Sequence, residues 1–179
     1  MKLVRRADLV PQPWKNGGGV TREIAAHPPG AGLEDFDWRL SMAEIASDGP
    51  FSAFPGIDRT LTVIEGDGLA LDFGAGAVDL PALRPLAFPG EAPVAARLRG
   101  GPVTDLNVMT RRAALSHAVR LLPPGAPIPA GTAALVALTN GMAGGQAISL
   151  GDTLLIEPDE MPQSDATMLA VMLFPADRT

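Results

Sequence analysis

Apolar residues recur along the chain in short runs that alternate with polar residues and end at turns rich in Gly and Pro. The clearest run covers residues 38–45, where Trp38, Leu40 and Met42 occupy every second position. A repeat of two residues is typical of a strand with one buried face, and closely spaced short strands are typical of sandwiches and barrels. The pattern therefore predicts an all-β chain.

The same pattern predicts further strands and two β-rich halves. Strands are expected at residues 60–65, 69–73, 78–80, 105–111, 115–122, 133–139, 147–150, 153–157 and 168–174, with a hairpin turn at 74–76. Only residues 33–38 and 111–122 leave a short helix open as an alternative. The Pro-rich segment 122–131 favours a stiff connector, so we place one half at residues 1–121 and the other at 122–179.

Composition and charge narrow the class of protein. The chain of 179 residues is 46% apolar, contains no cysteine and carries a formal net charge of −6. This composition excludes disulfides and thiolate metal sites, and the sequence shows no basic patch for nucleic acid. The N-terminus lacks the apolar segment of a secretory signal, and no uncharged apolar stretch is long enough for a transmembrane helix. We expect a cytoplasmic protein that binds neither nucleic acid nor membrane.

A glycine-rich turn near the N-terminus is the first candidate site. Trp14, Lys15 and Asn16 stand directly before three consecutive glycines that begin at Gly17. An aromatic face, a cation and an amide on one turn suit ligand binding, and glycine lets the backbone approach a ligand closely. The alternative is a surface turn whose Trp closes the end of a barrel. The spacing of the glycines does not match a phosphate-binding loop.

The strand at residues 105–111 is the second candidate. Its alternation puts one set of side chains on a shared face, namely Asp105, Asn107, Met109 and Arg111. Leu106 and Val108 occupy the opposite face. If the apolar face packs between layers, the polar face is either solvated or lines a cavity.

Other polar residues contribute further candidate cations to the site, but they offer few ligands for a metal ion. Arg39 and Ser41 share a face of the strand at 38–45, and Arg59 lies at the turn before the strand at 60–65. An Arg can hold a carboxylate through two parallel hydrogen bonds, or it can pair with neighbouring side chains. His27 and His117 are the only histidines, and they lie far apart in sequence, which gives a histidine-based metal centre poor support.

Three ordered blocks of sequence resemble the HutD/Ves family. They are Pro-Trp-Lys-Asn-Gly-Gly-Gly-Val-Thr-Arg-Glu-Ile at residues 13–24, Trp-Arg-Leu-Ser-Met-Ala at 38–43 followed by 48–52 and 54–59, and Asp-Leu-Asn-Val-Met-Thr-Arg-Arg at 105–112. The resemblance implies a bicupin, with two RmlC-like cupin barrels in one chain. It also implies a regulatory or metabolite-binding protein of histidine utilisation, with formylglutamate or urocanate as the ligand and no established reaction.

The cupin metal motif has no counterpart in this chain. Alignment of its last glycine with Gly66 puts Arg59 at the glutamate position. The histidine positions then fall at Ala53 and Pro55, or at Ser52 and Phe54. We therefore expect no metal and no cofactor, because an Arg-lined barrel mouth suits an anion better than a cation.

The favoured hypothesis is a binding protein for a small anionic metabolite. The predicted ligand-binding residues are Trp14, Lys15, Asn16, Gly17, Arg39, Ser41, Arg59, Asp105, Asn107, Met109 and Arg111. The alternative is a metal-independent enzyme for small carboxylic acids, with Asp105 or Glu44 as the general base. A third possibility is a structural protein without a ligand. A homodimer is expected from the resemblance alone.

Overall fold

The computed structural model describes residues 1–157 and 160–176, and strands dominate it. In chain order the strands are β1 (Lys2–Val4), β2 (Pro11–Pro13), β3 (Gly19–His27), β4 (Trp38–Ile45), β5 (Gly49–Pro50), β6 (Ile57–Glu65), β7 (Leu69–Asp72), β8 (Ala77–Leu80), β9 (Leu86–Pro89), β10 (Ala95–Leu98), β11 (Val103–Arg111), β12 (Leu115–Leu122), β13 (Thr132–Ala137), β14 (Gly141–Ala143), β15 (Gln146–Ile148), β16 (Thr153–Leu155) and β17 (Met168–Pro175). One short 3-10 helix covers Arg6–Asp8. The all-β prediction is confirmed.

The chain divides into two compact units. The first unit comprises Val10–Ser116 together with Ala176, and the second comprises Met1–Leu9 and His117–Pro175. This division differs from the predicted halves at residues 1–121 and 122–179. Strand β1 belongs to the second unit because it pairs with β16. The Pro-rich segment 122–131 lies inside the second unit, so it does not connect the halves, and residues 177–179 lie outside the described residues.

Two antiparallel sheets build the first unit. The larger has the strand order β2-β3-β4-β11-β6-β9, and the smaller has the order β5-β10-β7-β8. Apolar residues of both sheets form one core cluster, in which Val63, Leu69 and Leu71 are completely buried. Strand β11 lies centrally in the larger sheet between β4 and β6, and most of its residues are buried.

The second unit has a five-stranded sheet and a small hairpin. The sheet has the order β1-β16-β13-β17-β12, and β14 pairs with β15. Leu135, Leu154 and Met168 are among the buried residues of its core. In residues 1–157 and 160–176, no helix combines the length and apolar character needed to span a membrane.

The structure replaces the helical alternatives with a turn and with the predicted strand at 115–122, and it adds several strands that the pattern did not predict. Residues 33–37 form a turn that leads into β4, and residues 115–122 form β12, so neither segment is helical. The nine-residue strand β3 was not predicted, because a register shift between Glu23 and Ala25 interrupts its alternation. The predicted hairpin across residues 74–76 is present, with β7 paired to β8.

Candidate functional site

A cavity of about 560 Å³ lies on the face shared by β4, β11 and β6 of the first unit. The strand register places Arg39, Met109 and Arg59 in one row across these three strands. Two residues further along β11, Asn107 lies opposite Ser41. The lining consists of Gln12, Pro13, Trp14, Lys15, Asn16, Thr21, Leu33, Arg39, Ser41, Ala43, Pro50, Phe51, Ser52, Phe54, Arg59, Asp105, Asn107 and Met109. Most of the predicted site residues therefore surround one cavity.

Arg59 is the dominant cation of this cavity. It is 5% exposed, and it lies on β6 opposite Met109 of β11, where its side chain lines the cavity. Its guanidinium lies over three rings, at 5.6 Å from the centroid of Phe51, 5.4 Å from Phe54 and 5.3 Å from Phe88. The negative faces of aromatic rings stabilise a cation that water does not reach. The rings hold the guanidinium without neutralising its charge.

Hydrogen bonds to the protein use only some of the N–H groups of Arg59. Its Nε donates to Oδ1 of Asn107 at 3.5 Å, and its Nη1 donates to the carbonyl oxygen of Ser52 at 3.3 Å. Within the described part of the chain, Nη2 donates to no protein group. Burial lowers the pKa of Arg59 to about 10, although the charge of Asp105 opposes this effect. A desolvated guanidinium with free donors is well suited to a carboxylate.

Arg39 differs from Arg59 because its charge is balanced within the protein. It is also 5% exposed, but its Nε donates to Oε2 of Glu23 at 2.8 Å. Its Nη1 donates to Oγ of Ser41 at 3.1 Å. Glu23 lies on β3, and the sequence reasoning did not include it. Arg39 therefore shapes the cavity wall and contributes little net charge.

Asp105 is a buried carboxylate beside these cations. It is 2% exposed, and the backbone N–H of Ala43 donates a hydrogen bond to it. Its Oδ1 has no hydrogen-bond partner among the described residues. Burial raises the pKa of Asp105 to about 7, although the charge of Arg59 and the bond from Ala43 act in the opposite direction. The ionised form is thus costly in the folded protein.

The raised pKa of Asp105 predicts a pH-dependent stability. An unfolded Asp ionises near 3.8, whereas folded Asp105 holds its proton to about pH 7. Stability from this group is therefore fully present below pH 3.8 and is lost as pH rises through about 7. We expect the free energy of unfolding of Asp105→Asn, relative to wild type, to rise by more than about 1 kcal/mol between pH 4.5 and pH 7.5. Urea unfolding of the variant and of wild type at both pH values measures these free energies. If the variant and wild type differed by the same amount at pH 4.5 and at pH 7.5, the prediction would be contradicted.

The glycine-rich turn closes one side of the cavity. The N–H of Gly17 donates to the carbonyl oxygen of Trp14 at 3.0 Å, and Gly17 has a positive φ of 72°. Nε1 of Trp14 donates to Oγ1 of Thr21 at 2.7 Å, which fixes the indole at the cavity wall. Oδ1 of Asn16 accepts from the N–H of Gly18 at 3.0 Å, so that oxygen serves the turn. The glycines are required by the hairpin itself, and Gly17 does not line the cavity.

Arg111 and Glu44 also lie away from the cavity lining. Arg111 donates through Nε to the carbonyl oxygen of Phe36 at 3.1 Å and through Nη2 to that of Glu34 at 2.6 Å. It therefore holds the segment between β3 and β4, where Phe36 is completely buried. Glu44 forms an ion pair with Arg22 at 2.5 Å and is 43% exposed, so it is poorly placed for a general base.

Arg111→Gln is expected to weaken the fold and leave binding intact. Two hydrogen bonds to backbone carbonyls are lost, which costs about 1–2 kcal/mol in the free energy of unfolding. The affinity for carboxylates stays at the wild-type value because the cavity lining is unchanged. Urea unfolding and calorimetric titration measure both quantities, with Arg84→Gln as the control at an exposed position of the same unit. A loss of affinity with unchanged stability would place Arg111 in the binding site.

Several lining residues were missed by the sequence reasoning. Phe51, Ser52 and Phe54 precede β6 and contribute rings and a carbonyl oxygen around Arg59. They lie in the family-like segments at 48–52 and 54–59, but no alternation marks them because they are not in a strand. Leu33 lies in the turn segment and lines the cavity as an exposed apolar residue.

The cavity does not fit a divalent metal ion. Metal centres of this kind need several imidazole or carboxylate ligands. Here the lining carries Lys15, Arg39 and Arg59 against the single carboxylate of Asp105, and it contains no histidine. In residues 1–157 and 160–176, no cluster of three potential metal-binding side chains occurs. The residues present favour an anion.

Solved structures of other proteins share this architecture. HutD from Pseudomonas fluorescens SBW25 superposes with a TM-score of 0.85 at 30% identity, covering 97% of this chain and 98% of that one. A Cupin 2 conserved barrel domain protein from Leptotrichia buccalis superposes with a TM-score of 0.61 at 12% identity, covering 97% of this chain and 96% of that one, and shows the fold alone. The molecule is an all-β bicupin with a cation-lined cavity: the residue pattern predicted the strands, and the family resemblance implied the bicupin fold.

Family membership follows from the sequence comparisons. The HutD family profile matches residues 6–174. An uncharacterized 21.2 kDa protein in the hutC 3′ region of Pseudomonas putida is 44% identical over 115 residues, covering 61% of this chain and 57% of that protein. Protein Ves of Citrobacter koseri is 43% identical over 110 residues, covering 60% of this chain and 56% of that protein. The chain belongs to the HutD family, and its matches span little more than half the length of these relatives.

Proposed function

We propose that the first unit binds a small carboxylate metabolite, with Arg59 as the principal anchor. The proposal rests on the environment of the Arg59 guanidinium. It is buried against three phenylalanine rings, and within the described residues it has no ion-pair partner. Burying a charge is costly unless the charge is used or compensated. A carboxylate from solution would supply the compensation through two charge-assisted hydrogen bonds.

Other lining residues support recognition of a ligand longer than formate. Lys15 is exposed at the cavity wall and would attract a second carboxylate. Asn107 accepts a hydrogen bond from Arg59 through its Oδ1, and its amide nitrogen would donate to a formyl or amide oxygen of the ligand. Trp14 and Met109 would form apolar walls for the stem of the ligand. The NH₂ group of Asn16 would add a polar contact at the edge.

A role in histidine utilisation is part of the proposal. It is supported by the family, since a solved relative is named HutD and another relative lies in a hutC 3′ region. N-formylglutamate and urocanate are carboxylates of that catabolism, and the cavity volume of about 560 Å³ accommodates either of them. We place the protein in the cytoplasm as a non-enzymatic regulator that reports the level of such a metabolite, with a homodimer as its expected assembly.

Isothermal titration calorimetry tests the ligand assignment. N-formylglutamate, urocanate and glutamate are titrated separately, with formate as the minimal carboxylate, because the HutD structure from P. fluorescens comes from a formate condition. We expect saturable heat with at least one of the three metabolites and weaker binding of formate. Absence of heat with every compound at millimolar concentration would contradict the proposed function.

An enzyme acting on small acids is the second candidate, and Asp105 favours it. A carboxylate with a pKa near 7 in a cavity is the kind of group that acts as a general base. Arg59 would stabilise negative charge developing on a bound carbonyl. NMR of each candidate compound after long incubation decides the matter. Unchanged compounds would leave the binding role as the function.

A further inference from the structure

Asp105 lines the cavity under the influence of the Arg59 charge, and the binding proposal gives this carboxylate no role. The two side chains lie on the neighbouring strands β11 and β6, and both line the cavity. They interact through their charges, but no hydrogen bond joins them. One oxygen of Asp105 accepts from the backbone of Ala43, and Oδ1 has no partner among the described residues. The carboxylate thus remains incompletely satisfied while a cation stands nearby.

A ligand carboxylate would compete with Asp105 for the same cation. When Arg59 binds an external anion, its charge no longer compensates Asp105 to the same extent. Two negative charges then share one guanidinium in a desolvated space, and like charges raise the pKa of a carboxyl group. Protonation of Asp105 removes the repulsion, and the proton would also give Oδ1 a hydrogen to donate.

We propose that the cavity binds its carboxylate ligand together with one proton, which is taken up by Asp105. This inference rests on the proposed function. Because binding requires a proton, the site releases the carboxylate as pH rises and retains it as pH falls. The occupancy of the site therefore depends on both the metabolite concentration and the pH of the surroundings.

Other charged groups face Asp105 from the elements packed against it. On β4 the charged residue that lines the same cavity is Arg39, whose charge is balanced by Glu23 of β3. On β6 it is Arg59. Glu44 of β4 and Glu65 of β6 lie opposite Thr104, the residue before Asp105, and Lys15 lies on the turn at the cavity wall. Neither histidine lines the cavity.

Calorimetry in two amine buffers of different ionisation enthalpy measures the proton directly. Wild-type protein is titrated at pH 7.5 with N-formylglutamate and, separately, with formate. We expect between about half and one proton to be taken up per ligand bound, and a wild-type affinity that falls by up to about 100-fold from pH 6 to pH 9. Binding with no proton uptake would overturn the inference and leave the proposed function standing. Absence of heat with these two compounds and also with urocanate and glutamate would overturn both.

Asp105→Asn identifies the group that takes the proton. The amide keeps the size of the side chain and removes its titration. We expect this variant to bind with an affinity that is constant from pH 6 to pH 9, and to bind more tightly than wild type at pH 8.5. Asp79→Asn is the matched control, because Asp79 is 72% exposed and lies on β8 outside the cavity, and it should keep the wild-type profile. An unchanged pH profile in Asp105→Asn would overturn the assignment. If the variant does not fold, the wild-type proton count remains the deciding measurement.

Discussion

Arg59→Gln is expected to reduce the affinity for the carboxylate ligand by roughly 100-fold, which corresponds to about 3 kcal/mol. The physical reason is that Arg59 has no ion-pair partner among the described residues, whereas Arg39 is ion-paired with Glu23. Glutamine can still form hydrogen bonds. The loss of affinity therefore measures the contribution of the positive charge and of the two parallel N–H donors of the guanidinium. Calorimetric titration of wild type and variant measures the change.

At pH 5, where Asp105 with its pKa of about 7 is protonated, the same substitution should leave the fold at least as stable as wild type. Removing a buried cation that lacks an ion-pair partner among the described residues relieves a desolvation cost, even though the contact with the phenylalanine rings is lost. Arg97→Gln is the matched control, because Arg97 is 69% exposed and belongs to β10 of the same unit. Equal affinities of Arg59→Gln and Arg97→Gln would show that the ligand does not use Arg59.

Gly19→Ala is expected to destabilise the protein by about 2–3 kcal/mol through overpacking. A Cβ at this position would lie 2.5 Å from the carbonyl oxygen of Glu44 and 3.0 Å from Cε3 of Trp14. Backbone of the neighbouring strand β4 cannot yield without loss of the β3–β4 pairing that positions Arg39. The indole of Trp14 would be displaced as well, so the affinity for the carboxylate should also fall. Urea unfolding measures the first effect and calorimetry the second.

Gly49→Ala is the matched control for this prediction. A Cβ added to Gly49 would have no atom within 4 Å, and the residue has no positive φ, so alanine fits there. We expect its free energy of unfolding to match or slightly exceed that of wild type, because alanine reduces the freedom of the unfolded chain. Equal stability of Gly19→Ala and Gly49→Ala would contradict the close packing of the turn against β4.

The sequence predicted the wall of the cavity where a regular strand builds it. Alternation along β11 correctly put Asp105, Asn107 and Met109 on one face, because a period of two residues is a local property of a strand. Arg111 continues the same alternation at the end of β11, yet its side chain bonds backbone carbonyls of the segment at 34–36. That contact depends on a turn far away in sequence, which no local pattern reveals.

Long-range pairing explains most of the remaining differences. Strand β1 joins the second unit through its pairing with β16, although about 150 residues separate them. The balance of Arg39 by Glu23 depends on the pairing of β3 with β4, where a register shift hides the alternation. Both Arg39 and Arg59 were among the predicted residues. The sequence could not reveal that Arg39 has an ion-pair partner in Glu23 whereas Arg59 has none among the described residues.

A crystal structure of the protein with N-formylglutamate tests the central claim most directly. The claim is that the cavity of the first unit holds a small carboxylate on Arg59. We predict density inside the cavity with a carboxylate oxygen within about 3 Å of the Arg59 guanidinium nitrogens, and the stem of the ligand between Trp14 and Met109. Density for the ligand elsewhere, or a cavity filled by rearranged side chains with the ligand at saturating concentration, would contradict the claim.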